Sequence, residues 1–90
     1  MSRGDQEAML NQFRRLMDDL ARSSVTRNCF QRWEIDLLLD IQTCGLAPSA
    51  RREVLVQYRR AVERQFDKGA DAPLKLSEFL SQRRARHARS

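Results

Sequence analysis

The stretch NCFQRWEIDLLLDIQTCGLAP spans residues 28–48. It opens on Asn28, a favoured N-cap residue, with Gln31 three places on in the spacing of a loose capping box. It closes on Gly45, a residue that accepts the left-handed backbone with which many helices end. The spacing predicts a helix over about Cys29–Cys44. Phe30, Trp33, Leu37, Leu38, Ile41 and Cys44 share one broad apolar face. Ile35 and Leu39, four apart, form a second stripe on nearly the opposite side. Arg32, Asp36, Asp40 and Thr43 leave only a narrow polar edge. A helix apolar on two sides is central to a bundle or shares a face with a partner. Glu34 falls in the middle of the main apolar arc, where an unpaired carboxylate is costly. Two placements satisfy it. Either Tyr58 or an arginine of the next helix reaches it, or it emerges in a groove between two packing faces.

Working outward, Met9, Leu10, Phe13, Leu16, Met17 and Leu20 give an amphipathic helix from Asp5 to Arg22. On its outer face Arg14 with Asp18, and Arg15 with Asp19, stand at i,i+4, each pair contributing about 0.2–0.5 kcal/mol. Pro48 suits the first turn of a third helix. Val54, Leu55, Tyr58, Ala61, Val62 and Phe66 form its apolar face, and Gly69 stops it. Arg52, Arg59, Arg60 and Arg64, interrupted by Glu53 and Glu63, form the opposite face. Residues 69–73 read as a turn. Leu74 and Leu76 flank Lys75 in an extended stretch, and Ser77 is a candidate cap for a short helix carrying Phe79 and Leu80. From Gln82 onward apolar periodicity is lost. The expected fold is all-α: a small bundle of three main helices, with a short C-terminal helix and a basic frayed tail. Residues 1–82 are expected to form a single helical domain and 83–90 a basic disordered tail.

Composition narrows the function. Ninety residues, 41% hydrophobic, include 28 apolar side chains larger than alanine, enough for one small core but not for a deep substrate cleft. Two cysteines and one histidine cannot fill a four-ligand zinc site. Asp36 and Asp40 share a helix face without the convergent oxygens a divalent ion needs. Three glycines are too few for a phosphate-cradling loop. The one histidine, His87, lies in the expected tail, which cannot supply the rigid geometry of a nucleophile–base pair. These readings point to no enzyme, no catalytic residue, no cofactor, no metal and no small-molecule substrate. Cys29 and Cys44 at opposite ends of a helix stand about 22 Å apart, beyond the roughly 7 Å a disulfide spans. No apolar run approaches the roughly 20 residues of a membrane span. Asp5, Glu7, Asp18 and Asp19 do not suit a targeting peptide. A soluble, cytoplasmic chain that avoids membranes is the expectation.

The net charge of +5 is uneven: residues 1–48 carry −1 and residues 49–90 carry +6. Fifteen of the seventeen basic residues are arginine. The reading is a non-enzymatic protein–protein interaction module, in keeping with a small bacterial accessory or regulatory protein. It binds a protein partner or forms a homodimer through helix faces. Trp33, Ile35, Asp36, Leu39, Arg59 and Arg60 are the candidate contacts. The alternative is nucleic-acid binding through the basic half, with Arg52, Arg59, Arg60, Arg64, Arg83, Arg84 and Arg86 as contacts to phosphate. The helix, Gly45 and helix order invites a helix-turn-helix reading. Cys44, Leu46 and Val54 fit its apolar positions, whereas Asp40 and Arg51 do not, and Ile41 stands where a small residue is expected. Gln57-Tyr58-Arg59 lacks the first residue of the leucine-tyrosine-arginine motif of small mitochondrial helical proteins and lies past mid-chain, so it carries no family assignment.

Overall fold

Gly45 and Gly69 hold φ of +72° and +95°, and each follows the end of a helix. The structure, a computed structural model, describes residues 3–22 and 29–88, with side chains over 4–22 and 29–85. The helices are α1 (Arg3–Ala21), α2 (Arg32–Thr43), α3 (Pro48–Asp67) and α4 (Leu76–Ala88). The described residues contain no strand, and the fold is all-α.

The boundaries follow local chemistry, with three corrections to the sequence reading. First, α2 starts at Arg32, not Cys29. Its N-cap is Gln31, and Gln31 N–H donates to Glu34 Oε1 at 3.0 Å, closing a capping box. Glu34 is only 2% exposed. It is buried as the third residue of its own helix, where it takes an orphan backbone donor and meets the positive end of the helix dipole. The expected Asn28 cap lies outside the described residues. Cys29 is exposed ahead of the helix and Cys44 is half-buried at its C-cap; both are free. Second, α4 begins at Leu76, with Phe79 N–H bonded to Lys75 C=O at 3.0 Å. Ser77 is inside the first turn and is not the cap. Third, the backbone is helical through Ala88, although apolar periodicity stops at Gln82. Glutamine, arginine and alanine have high helix propensity and extend a helix without a buried face. Residues 89–90 of the expected tail lie outside the described residues.

α1 runs antiparallel to α3, and α2 lies against α4. Arg14 Nε meets Glu63 at 2.9 Å, Arg59 meets Asp18 at 2.8 Å, and Arg59 Nε meets Glu63 at 3.6 Å. At the far end Gln6 Nε2 donates to Ala70 O at 3.3 Å. The pairs Arg14–Asp18 and Arg15–Asp19 expected along α1 are replaced: Arg14 and Asp18 turn to α3, and Asp19 meets Arg22 at 3.5 Å. A neighbouring helix at packing distance offers straighter geometry than the i,i+4 partner. Such exposed pairs contribute about 0.2–1 kcal/mol each, so they set register more than stability.

The core joins one aromatic ring from each helix. Phe13 of α1 meets Tyr58 of α3 edge-on, with centroids 5.6 Å apart. Tyr58 meets Phe79 of α4 at 5.6 Å, and Phe13 meets Trp33 of α2 at 6.4 Å. Leu16, Met17, Leu37, Ile41, Val62, Phe66 and Leu76 fill the space around them. The molecule measures 40 × 31 × 18 Å. A helix with its side chains is about 10–12 Å across, so the short dimension holds two helix layers and no third.

The end of α3 is a Schellman motif: Ala70 N–H bonds Gln65 C=O and Gly69 N–H bonds Phe66 C=O, both at 3.0 Å. A Cβ at Gly69 meets nothing within 4 Å, so the positive φ alone opposes a side chain. Gly69→Ala is expected to lower the unfolding free energy by about 1–2 kcal/mol, read by urea denaturation followed through circular dichroism. An unchanged midpoint would contradict this account of the turn.

Candidate functional site

Four residues chosen from the sequence sit on α2. Leu37 and Ile41 are buried, while Ile35 and Leu39 are 42% and 53% exposed. An offset of two residues turns a side chain about 200° around a helix, so the outer stripe faces away from the core. The Leu74–Leu80 segment leaves both residues of that stripe exposed. Leu74, Phe79 and Leu80 pack on the central cluster, and Leu76 is buried within it. Trp33, Asp36 and Leu39 line a cleft of about 450 Å³ whose far wall is Pro73–Ser77. Ile35 stands outside that cleft on open helix surface.

Trp33 is anchored. Its ring packs on Phe13, and its Nε1 donates to Gln31 Oε1 at 3.0 Å. Asp36 is half-exposed and meets Arg32 Nε at 3.4 Å across one turn. At the base of the cleft Tyr58 donates its hydroxyl hydrogen to Leu74 O. Burial, with Asp40 nearby, pushes the phenol well above its ordinary range. Loss of its proton would leave a buried anion facing a carbonyl, so it serves as a fixed donor.

The basic candidates divide. Arg59 is engaged by Asp18 and Glu63, so its charge is balanced within the fold and it lines the α1–α3 side. Arg60 lies on the other side of α3. With Arg64, Lys68 and Arg83 it lines a groove of about 800 Å³ between α3 and α4, which also holds Glu63 and Asp67. Arg59 and Arg60 therefore do not form one patch. Arg52 is exposed on the first turns of α3 and lines a different groove. Arg84 is exposed on α4; the backbone of Arg86 is helical, and its side chain lies outside the described ones.

A further groove, about 400 Å³, was not singled out by sequence. It opens where α1 ends short of the first turns of α3. Its walls are Met17, Leu20, Leu55 and Val56, with Arg51 and Arg52 at the rim. Val56 is 48% exposed. Its sequence signal is slight: one valine on the arginine-rich side of α3. Among the described residues no group of three or more His, Cys, Asp or Glu side chains is placed to hold a metal ion. No helix among them is long and apolar enough to cross a membrane. α2 and α3 are not the closest-packed pair, unlike the two helices of a helix-turn-helix. Comparison with protein-family models, curated proteins and solved structures finds no match.

The chain has a single tyrosine, so tyrosinate absorbance reports Tyr58 alone. The folded protein is expected to titrate well above the ordinary phenol value of about 10. The sign of the linkage follows. Below about pH 10 the phenol is neutral in both states. Above it the unfolded chain loses the proton that the folded chain keeps, so stability falls as pH rises, by at most about 1.4 kcal/mol per pH unit. Tyr58→Phe removes that component of the slope. A folded-state midpoint near 10 would contradict the burial and bonding described.

Proposed function

We propose that the chain is a non-enzymatic interaction module whose binding face is the outer stripe of α2. The carrying observation is the exposure of Ile35 and Leu39 on a well-packed helix whose inner face is already buried. Scattered single apolar residues on a surface are ordinary, but two adjacent ones on one rigid helix beside an apolar cleft form a contiguous patch. Asp36, at the border of stripe and cleft, adds a charge that selects orientation more than affinity. Trp33 contributes from the cleft wall with its ring fixed in advance, which lowers the entropy cost of binding. A small bacterial accessory or regulatory protein acting in the cytoplasm is consistent with this reading.

A second reading draws on the α3–α4 groove. Arg60, Arg64, Lys68 and Arg83 converge there, a spacing of charge along two helices that suits a phosphate backbone. Glu63 and Asp67 in the same groove weaken its field, which ranks it second.

The test uses immobilised full-length chain, offered either native lysate, with and without nuclease, or a purified free copy of the chain. The module reading expects a protein retained by the wild type after nuclease and lost with Leu39→Lys. Loss on nuclease treatment, with Leu39→Lys behaving as wild type, would favour the nucleic-acid reading and overturn the first.

A further inference from the structure

The outer stripe of α2 and the groove between the end of α1 and the start of α3 are unlike each other in the way two halves of a contact are. The stripe offers two aliphatic side chains, Ile35 and Leu39, four residues apart, with the half-exposed carboxylate of Asp36 beside them. The groove offers an apolar floor of Met17, Leu20, Leu55 and Val56 under a rim that, among the described residues, carries arginines and no acid. Of these, Arg59 is already balanced by Asp18 and Glu63. Arg51 and Arg52 have no ion pair among the described residues, and Arg51 Nε is a buried donor without a hydrogen-bond partner. The groove thus presents apolar surface and, among the described residues, arginines without an ion pair, and the stripe presents apolar surface and a carboxylate whose one ion pair there, to Arg32, is exposed to solvent. Asp36 is held only by the i,i+4 contact to Arg32, whose side chain is almost fully exposed, so it is free to change partner.

The two surfaces cannot meet within one molecule. Ile41, on the inner face of α2, lines the groove, while Ile35 and Leu39 lie on the outer face of the same helix. We propose that they meet between molecules: the outer stripe of α2 in one copy docks in the α1–α3 groove of a second copy, with Asp36 facing Arg51 and Arg52. The contact joins two different surfaces and is head-to-tail. Any open chain of such contacts keeps one free stripe at one end and one free groove at the other, so assembly continues to a closed ring or a filament, depending on the rotation per copy. This inference rests on the reading of α2 as a binding face and names its occupant.

Two variants test it, each disabling one half. Leu39→Lys places a cation where the stripe would enter a cationic groove. Arg52→Glu combined with Val56→Glu reverses charge and adds polarity at the groove. Both positions in the groove variant are exposed, and its fold is checked by circular dichroism. If Leu39→Lys loses its helical spectrum, Ile35→Lys replaces it. Light scattering on the wild type is expected to show species larger than a dimer, and each variant alone a monomer. An equimolar mixture of the two variants is expected to give a heterodimer and nothing larger, because one intact stripe and one intact groove then meet once. A wild type that stays monomeric up to about 1 mM, the weak edge of specific association, overturns the proposal. So does a wild-type assembly that the mixed variants fail to reconstitute as a dimer. Retention of a foreign protein through Leu39, with no retention of a free copy, leaves the module reading standing while this inference fails.

Discussion

Tyr58 is the side chain on which the four helices depend. Its ring lies between Phe13 of α1 and Phe79 of α4, and Phe13 in turn carries Trp33 of α2. Its hydroxyl holds the backbone of Leu74, just before α4 begins. Aromatic pairs of this kind add about 0.5–1.5 kcal/mol beyond their buried area. A buried carbonyl left without its donor costs about 1–3 kcal/mol. For a chain this size, with total stability of about 5–15 kcal/mol, one residue therefore links all four elements energetically. The raised titration of the phenol reflects the same burial.

That arrangement has a geometric consequence. Rings from four helices meeting at one centre make a two-layer body, 18 Å in its short dimension. α2 turns Leu37 and Ile41 to the centre, and among the described residues nothing buries Ile35 and Leu39 on its other side. The C-terminal segment is drawn to Tyr58 instead. The ion pairs running from Arg14 through Glu63 and Arg59 to Asp18 fix the offset of α1 against α3. That offset leaves the first turns of α3 overhanging the end of α1 and opens a groove there. The exposed stripe and the groove thus follow from the packing that stabilises the fold.

Much of the architecture was legible in the sequence because it depends on local spacing. Period and punctuation located four helices, and the positive-φ turns fell at Gly45 and Gly69. The two-sided character of α2 was visible in Ile35 and Leu39 against Leu37 and Ile41. Whether the second side was covered was not legible, since that depends on where residues 74–80 pack. Glu34 stands out in the sequence as an anomaly, with a partner on α3 or emergence in a groove as its two placements; it takes neither, because the spacing of Gln31 and Glu34 closes a capping box within α2. The charge pairs were misread because an i,i+4 neighbour competes with a facing helix whose register the sequence does not state. The groove at Arg51 and Val56 was invisible for the same reason. Arg59 and Arg60, adjacent in sequence, were grouped, although successive residues point about 100° apart on a helix and serve different faces.

The central claim is that the outer stripe of α2 is no part of the core. Urea unfolding at concentrations where the chain is monomeric, followed by Trp33 fluorescence, tests it most directly. Leu39→Lys is expected to change the unfolding free energy by no more than about 0.5 kcal/mol, as surface substitutions do. Leu37→Ala, two residues away on the same helix, is expected to cost about 2–5 kcal/mol. A Leu39→Lys penalty as large as that of Leu37→Ala would show that the stripe is ordinary core, and the account of α2 as an open face would be wrong.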